Sequence, residues 1–186
     1  AYDATFGYVL DHAGVDVILV GDSLGMVIQG DRNTLSVSMD TMVYHTRCTA
    51  KGVQRALVVA DMPFASYPDP QTAFANAARL VAEGLAGMVK LEGDGQVFES
   101  VRYLVDRDIP VCAHIGLTPQ SVHRFGGFKL QGKSDSDAER LRQSAQAAEQ
   151  AGAELLVLEC VPAAVAAAIT ASISIPVIGI GAGVDC

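Results

Sequence analysis

Five short apolar runs in this sequence each deliver an ionisable side chain at the C-terminal end. Val17–Val20 leads into Gly21, Asp22 and Ser23, and Ala56–Ala60 leads into Asp61. Met88–Leu91 carries Lys90 and leads into Glu92; Val111–Ala113 leads into His114, and Leu155–Leu158 into Glu159. If they were gathered in one place, the carboxylates would repel one another and hold their protons more tightly unless a cation joined them. Asp22, Asp61 and Glu92 offer oxygen ligands only, and no His or Cys rhythm of the zinc type accompanies them. The cation expected is therefore a hard divalent one, Mg²⁺. Lys90 stands two residues before Glu92, so on a strand both side chains project from the same face. From there Lys90 could bind a carboxylate or an oxyanion beside the metal.

Each of these residues alone has a plainer explanation. An acid after a strand commonly caps the next helix, a single histidine is commonly hydrogen-bonded in a core, and a strand lysine can snorkel. Glu159 could belong to a structural ion pair. Capping explains neither a lysine inside a strand nor the glutamates, which are weak caps. The five positions together favour a shared site.

A repeat of strand and helix would bring them there. The five runs and a sixth, Pro176–Ile180, are too short for helices and nearly continuous in apolar character, as strands buried on both faces are. Between them Val37–Ala50, Pro70–Glu83, Gln96–Asp106, Asp135–Ala151 and Ala163–Ala171 carry good helix formers with apolar spacing near 3.6 residues. A helix from Thr5 to His12 precedes them. Asp69-Pro70 reads as an N-cap followed by proline in the first turn, and Gly52, Gly84 and Gly152 read as C-terminal stops.

Such alternation implies a parallel sheet, and in a parallel barrel the C-terminal strand ends share the rim where active sites lie. The sequence opens at Ala1-Tyr2-Asp3 as if leaving a strand, and it stops after the Gly-rich Gly181–Gly183. The expected fold is therefore α/β, a (β/α)8 TIM barrel, with residues 1–186 forming one incomplete domain. Most of the first strand and the eighth βα unit would be missing. A doubly wound open sheet is the alternative, but its GxGxxG fingerprint is absent after the first strand, and Gly179–Gly183 comes late with the wrong spacing. The stretch Leu117–Ser134, with Gly126-Gly127 inside it, is far longer than an ordinary strand-to-helix connection. It reads as a lid over the rim or as a solvated insertion. Gly181–Gly183 permits close backbone approach to a ligand, or simply a tight turn.

Composition sets bounds on the rest. The chain has 186 residues, 50% apolar and 18% charged, enough for one sizeable core and too short for two confident domains. No apolar run approaches a membrane span, and no basic-then-apolar leader opens the sequence. A soluble, cytoplasmic protein is expected. Net charge is −8, with 13 Lys+Arg against 21 Asp+Glu, and the bases are scattered, so nucleic acid is a poor partner. Cys48, Cys112, Cys160 and Cys186 form no CxxC pair, which fits a reducing compartment.

Six motifs carry a resemblance: VGDSLGM (Val20–Met26), ADMPF (Ala60–Phe64), MVKLEG (Met88–Gly93), HIGLTPQ (His114–Gln120), LLVLECVP (Leu155–Pro162) and PVIGIGAG (Pro176–Gly183). In order and spacing they resemble the ketopantoate hydroxymethyltransferase family from end to end. The resemblance implies a (β/α)8 barrel, one Mg²⁺ per subunit and a cytoplasmic homodecamer. It implies a reaction in which 3-methyl-2-oxobutanoate, as its enolate, takes the one-carbon unit of 5,10-methylenetetrahydrofolate to give 2-dehydropantoate. It matches Asp22, Asp61 and Glu92 to metal positions, Glu92 binding directly or through water. Asp22, Ser23, Asp61 and Lys90 match positions that contact the keto acid, His114 a position lining the site, and Glu159 the proton acceptor. The folate contacts stay unassigned. One rival is another Mg²⁺-dependent 2-keto-acid enolate enzyme, of the phosphoenolpyruvate mutase and isocitrate lyase group. It would be expected to carry a lyase-type cysteine loop or phosphonate-binding basic residues, and neither is seen. A non-catalytic subunit would be expected to have lost at least one of Asp22, Asp61, Lys90, Glu92 and Glu159, and all are present. An inactive fragment is the remaining alternative.

Overall fold

The computed structural model describes residues 1–186. Six strands, β1 (Val17–Val20), β2 (Leu57–Asp61), β3 (Met88–Glu92), β4 (Val111–Gly116), β5 (Leu155–Glu159) and β6 (Val177–Ile180), form one parallel sheet in sequence order. A doubly wound sheet reverses strand order at a switch point, and no reversal occurs here. Successive right-handed crossovers in one direction place the helices on one face. The other face curls on itself: Val17 and Leu19 of β1 line the same cavity, of about 120 Å³, as Ile178 and Ile180 of β6.

The helices are α1 (Ala4–His12), α2 (Leu24–Val27), α3 (Met39–Ala50), α4 (Pro70–Ala82), α5 (Val97–Val105), α6 (Val122–Phe125), α7 (Asp135–Gln150) and α8 (Ala163–Thr170). Four begin on side-chain caps, where Asp3, Ser38, Asp69 and Ser134 accept from the backbone N–H groups of Phe6, Thr41, Thr72 and Asp137. Each cap supplies an acceptor to an otherwise orphaned amide.

Strand periodicity divides the side chains between the two faces. Ile18, Val20, Val58, Ala60, Val89, Leu91, Val111, Ala113, Leu156 and Leu158 point outward and are buried, most of them in one apolar layer with Met42, Ala77, Leu80, Val101, Leu104, Leu141, Ala145 and Ile169 of the helices. On the concave face, Val59, Met88, Cys112, Leu155 and Val157 make a smaller apolar floor. The loop before β2 is tied down separately. Asp11 of α1 accepts from the backbone N–H of Gln54 (3.0 Å), Arg55 (3.2 Å) and Ala56 (2.8 Å).

Three expectations change in detail. The strands run past their apolar stretches, so Asp61, Glu92, His114 and Glu159 lie inside the ladder rather than beyond it. Ladder bonds join backbone groups and do not depend on side-chain polarity. Ala1–Asp3 forms no strand, and Asp3, with extended backbone, serves instead as the cap of α1. The long stretch Leu117–Ser134 contains a 3-10 turn, Pro119–Ser121, and the short α6. No helix is long and apolar enough to cross a membrane.

Candidate active site

Parallel register carries the ionisable residues to one level. Asp61 pairs with Lys90, Glu92 with His114, and Gly116 with Glu159 across successive strands. The period of two then puts Asp61, Lys90, Glu92, His114 and Glu159 on the concave face, directly above the apolar floor. Asp22 joins from the turn after β1, its backbone N–H donating to Asp61 Oδ2 at 3.0 Å. Ser23 follows, with Oγ 2.9 Å from the Tyr2 hydroxyl. All five residues foreseen on β2 to β5 and both from the β1 turn are thus gathered at one strand-end rim. A Cβ at Gly21 would come within 2.7 Å of Ser23 Oγ and 3.4 Å of Asp61 Oδ2, so glycine keeps that approach open.

The cluster centres on Lys90, 3% exposed. Its ammonium lies 3.1 Å from Asp61 Oδ1, 3.5 Å from Glu92 Oε1 and 2.9 Å from His114 Nδ1. An ammonium can only donate, so Nδ1 must accept and the imidazole proton sits on Nε2. Nε2 stands 3.3 Å from Glu159 Oε2, too oblique for a hydrogen bond. Burial and Lys90 oppose a second proton on the ring, but Glu159 and Glu92 outweigh them and raise its proton affinity. Glu159, with 17% of its side chain exposed, is the most accessible carboxylate of the group.

Charge is unevenly compensated. Burial disfavours an ionised Glu92, yet Lys90, with help from His114, holds it down to about 2. Burial also opposes the charge on Lys90, but Asp61, Glu92 and Asp22 keep it well above its ordinary range. The aspartates fare differently. Burial, reinforced by Asp61 and Glu92, pushes Asp22 up to about 7, and burial raises Asp61 despite its contact with Lys90. Asp61 Oδ1 has that ion pair but no hydrogen bond. One ammonium thus serves three carboxylates, and the shortfall falls on Asp22 and Asp61. An all-oxygen pair short of positive charge suits a hard divalent cation.

Asp22, Asp61 and Glu92 do not, as they stand, enclose a common point, and no group of three Asp, Glu, His or Cys side chains is arranged to hold a metal ion. The ammonium of Lys90 stands between Asp61 and Glu92, and Glu92 Oε2 accepts from the backbone N–H of Gln120 at 3.1 Å. Asp61 is likewise engaged at both oxygens, by Lys90 and by the Asp22 N–H, so Asp22, bonded through Oδ2 to Gln120, is the least occupied of the three.

Gln120 was passed over by acid–base reasoning because its amide carries no charge, although it closes the motif His114–Gln120. Its Nε2 donates to Asp22 Oδ2 at 2.8 Å and to the Met62 carbonyl at 2.9 Å. Its Oε1 accepts from the hydroxyl of Tyr67, a residue in the loop after β2 that sequence spacing also missed. Of Gly181–Gly183, two take positive φ, 60° at Gly181 and 98° at Gly183. A Cβ on Gly183 would meet Ala163 of α8 at 2.7 Å, so that glycine serves helix packing.

A family model described as ketopantoate hydroxymethyltransferase matches residues 1–186. The chain belongs to the ketopantoate hydroxymethyltransferase family. Relatives bearing the name 3-methyl-2-oxobutanoate hydroxymethyltransferase include one from Shewanella piezotolerans, 58% identical, with the match covering all of this chain and 70% of that protein. One from Burkholderia cenocepacia is also 58% identical and 68% covered. Among solved structures, phosphonopyruvate hydrolase in complex with oxalate and Mg++ aligns with a TM-score of 0.72 at 15% identity. 2,3-Dimethylmalate lyase, a PEP mutase/isocitrate lyase superfamily member, aligns at 0.71 and 17%. In each case the match covers 96% of this chain and 64% of the other. At such identities these structures share the fold of the hydroxymethyltransferase chain and speak only to its parallel α/β architecture. The rival assignment to the mutase and lyase group thus has fold likeness behind it, whereas the hydroxymethyltransferase assignment rests on identity along the whole chain.

Proposed function

We propose that this chain carries the keto-acid chemistry of a hydroxymethyl transfer from 5,10-methylenetetrahydrofolate to 3-methyl-2-oxobutanoate, yielding 2-dehydropantoate and tetrahydrofolate. One observation carries the reading: a buried lysine, three carboxylates short of positive charge and a more accessible fourth carboxylate share one strand-end rim in a chain of this family. Residues 1–186 are read as one domain, consecutive staves of a (β/α)8 barrel, in a cytoplasmic homodecamer.

Asp22 and Asp61 would hold a single magnesium ion, with Glu92 reaching it directly or through water. When bound, that ion supplies Lewis acidity where negative charge develops on the keto oxygen. The chain's own groups do the remaining work. Lys90 neutralises charge on substrate oxygens, and Ser23 Oγ donates a hydrogen bond. Glu159 takes the proton from C3, the carbon beside the ketone, and the His114 imidazole lines the site beside it. The enolate so formed attacks the folate's methylene carbon as that carbon's bond to one folate nitrogen breaks. Water then adds its oxygen to the carbon as the bond to the second nitrogen breaks, and the two nitrogens of the departing tetrahydrofolate take up the C3 proton and one proton of the water.

Glu159→Gln tests this. Keto-acid binding should persist, while exchange of the C3 proton with deuterated solvent collapses. Undiminished exchange would remove Glu159 as the base and overturn the reading.

A further inference from the structure

Gln120 is 7% exposed and every polar atom of its side chain is engaged. The direction of these bonds is fixed. The Met62 carbonyl can only accept, which fixes Nε2 on that side, and the second amide proton points to Asp22 Oδ2. Oε1 must then accept the single proton of the Tyr67 hydroxyl. The Tyr67 oxygen in turn takes the backbone N–H of Glu92 at 3.3 Å. The Gln120 backbone N–H closes a loop of contacts by donating to Glu92 Oε2. A neutral amide therefore joins the β1 turn, the end of β2 and the end of β3. It does so from the 3-10 turn that opens the long stretch Leu117–Ser134.

We propose that Gln120 is the positioning residue of the cation site, seated by Tyr67, and that it ties the fold of the Leu117–Ser134 segment to the orientation of the carboxylates. This rests on the reading above that Asp22 and Asp61 receive magnesium. By engaging Asp22 Oδ2, the amide fixes the rotation of that carboxylate and leaves Oδ1 to the ion. By donating its backbone N–H to Glu92 Oε2, Gln120 also holds Glu92 beside Lys90. No charged side chain could replace it. A glutamate would set oxygen against the Asp22 carboxylate and the Met62 carbonyl, and a lysine would compete with the cation. Groups that orient metal ligands from behind commonly alter metal affinity by about 10- to 100-fold when removed.

The experiment titrates Mg²⁺ by calorimetry into the wild type, Gln120→Leu and Tyr67→Phe, each freed of metal and without either substrate. Gln120→Leu should raise the dissociation constant by about 10- to 100-fold, and Tyr67→Phe should move it less in the same direction. Limited trypsin digestion at Arg124 and Lys129, both exposed in the segment, supplies the second readout. Mg²⁺ should slow cleavage of the wild type and lose that effect in Gln120→Leu. A residue with a merely structural role would lower the urea midpoint while leaving the Mg²⁺ affinity of the folded protein unchanged. Unchanged affinity in both variants overturns the proposal. If Gln120→Leu does not fold, Tyr67→Phe decides alone, since it removes one hydroxyl and preserves the ring. A wild type that binds no Mg²⁺ at all overturns the cation reading itself, and this proposal with it.

Discussion

Replacing Lys90 with methionine would remove the ammonium from the buried cluster and leave Asp22, Asp61 and Glu92 facing one another. Glu92 gauges the effect. Its ordinary value is 4.5 and Lys90 holds it at about 2, a difference worth about 3 kcal/mol at about 1.4 kcal/mol per tenfold change in proton affinity. That contribution is present above the ordinary value and lost only as pH falls through about 2. In the wild type, Glu92 therefore adds no slope between about pH 5 and about pH 8. Without Lys90, burial governs and pushes the carboxyl above its ordinary value, so stability now declines as pH rises through the new one. Lys90→Met should be less stable than wild type by about 3 to 5 kcal/mol at about pH 8, the range for breaking a buried pair. The gap should narrow toward about pH 5. At about 2 kcal/mol per M, the urea midpoint should fall by about 1.5 to 2.5 M. Circular dichroism against urea at both pH values, with chelator present, measures this. The double variant Lys90→Met/Glu92→Gln should recover part of the loss, because one uncompensated charge is gone. A single variant within about 1 kcal/mol of wild type at the higher pH, or a gap that widens on acidification, would refute the reasoning.

Other consequences can be checked in the same way. Asp11→Asn should lower the thermal midpoint at neutral pH, because the carboxylate's bonds to the backbone of Ala56, Gln54 and Arg55 hold its pKa below 3.8. The stability it brings is present above that value and lost as pH falls through the folded one, so the variant should show a flatter acid limb; identical acid limbs count against it. Gly116→Ala places alanine at φ 92° with its Cβ 2.4 Å from the Glu159 carbonyl. It should lose about 1 to 3 kcal/mol from backbone strain alone, and C3 proton exchange should fall even in the folded fraction, as NMR would show. Leu80→Ala should cost about 2 to 5 kcal/mol in urea, since Leu80 is fully buried behind the sheet. Its Mg²⁺ affinity should stay at the wild-type level.

The strand-and-helix order was legible because each strand is an apolar run and most of the long helices open on a cap or a proline. β1 falls on the expected residues, and α4 begins at the expected Pro70. Strand ends were read short at Asp61, Glu92 and Glu159, since side-chain polarity marks solvation and not backbone pairing. The charged members of the site could be read because ionisable groups at strand ends are unusual one after another. Gln120 and Tyr67 escaped for the opposite reason. Their types are ordinary in loops, and what sets them apart is a network of bonds across residues far apart in sequence. The helices α2 and α6, each four residues long, are too short to show a period.

The alternation along β3 has a consequence for assembly. Lys90 and Glu92 face inward while Val89 and Leu91 face the helices. A slip of β3 by one residue against its neighbours would drive an ammonium and a carboxylate into the aliphatic layer beneath α4 and α5, and turn two aliphatic side chains toward the rim. The reactive groups thus double as alignment marks that penalise a misthreaded strand. Over evolutionary time, an insertion of one residue within this strand would turn the site residues to the wrong face, whereas an insertion of two would keep their facing but shift their level by about 6.6 Å.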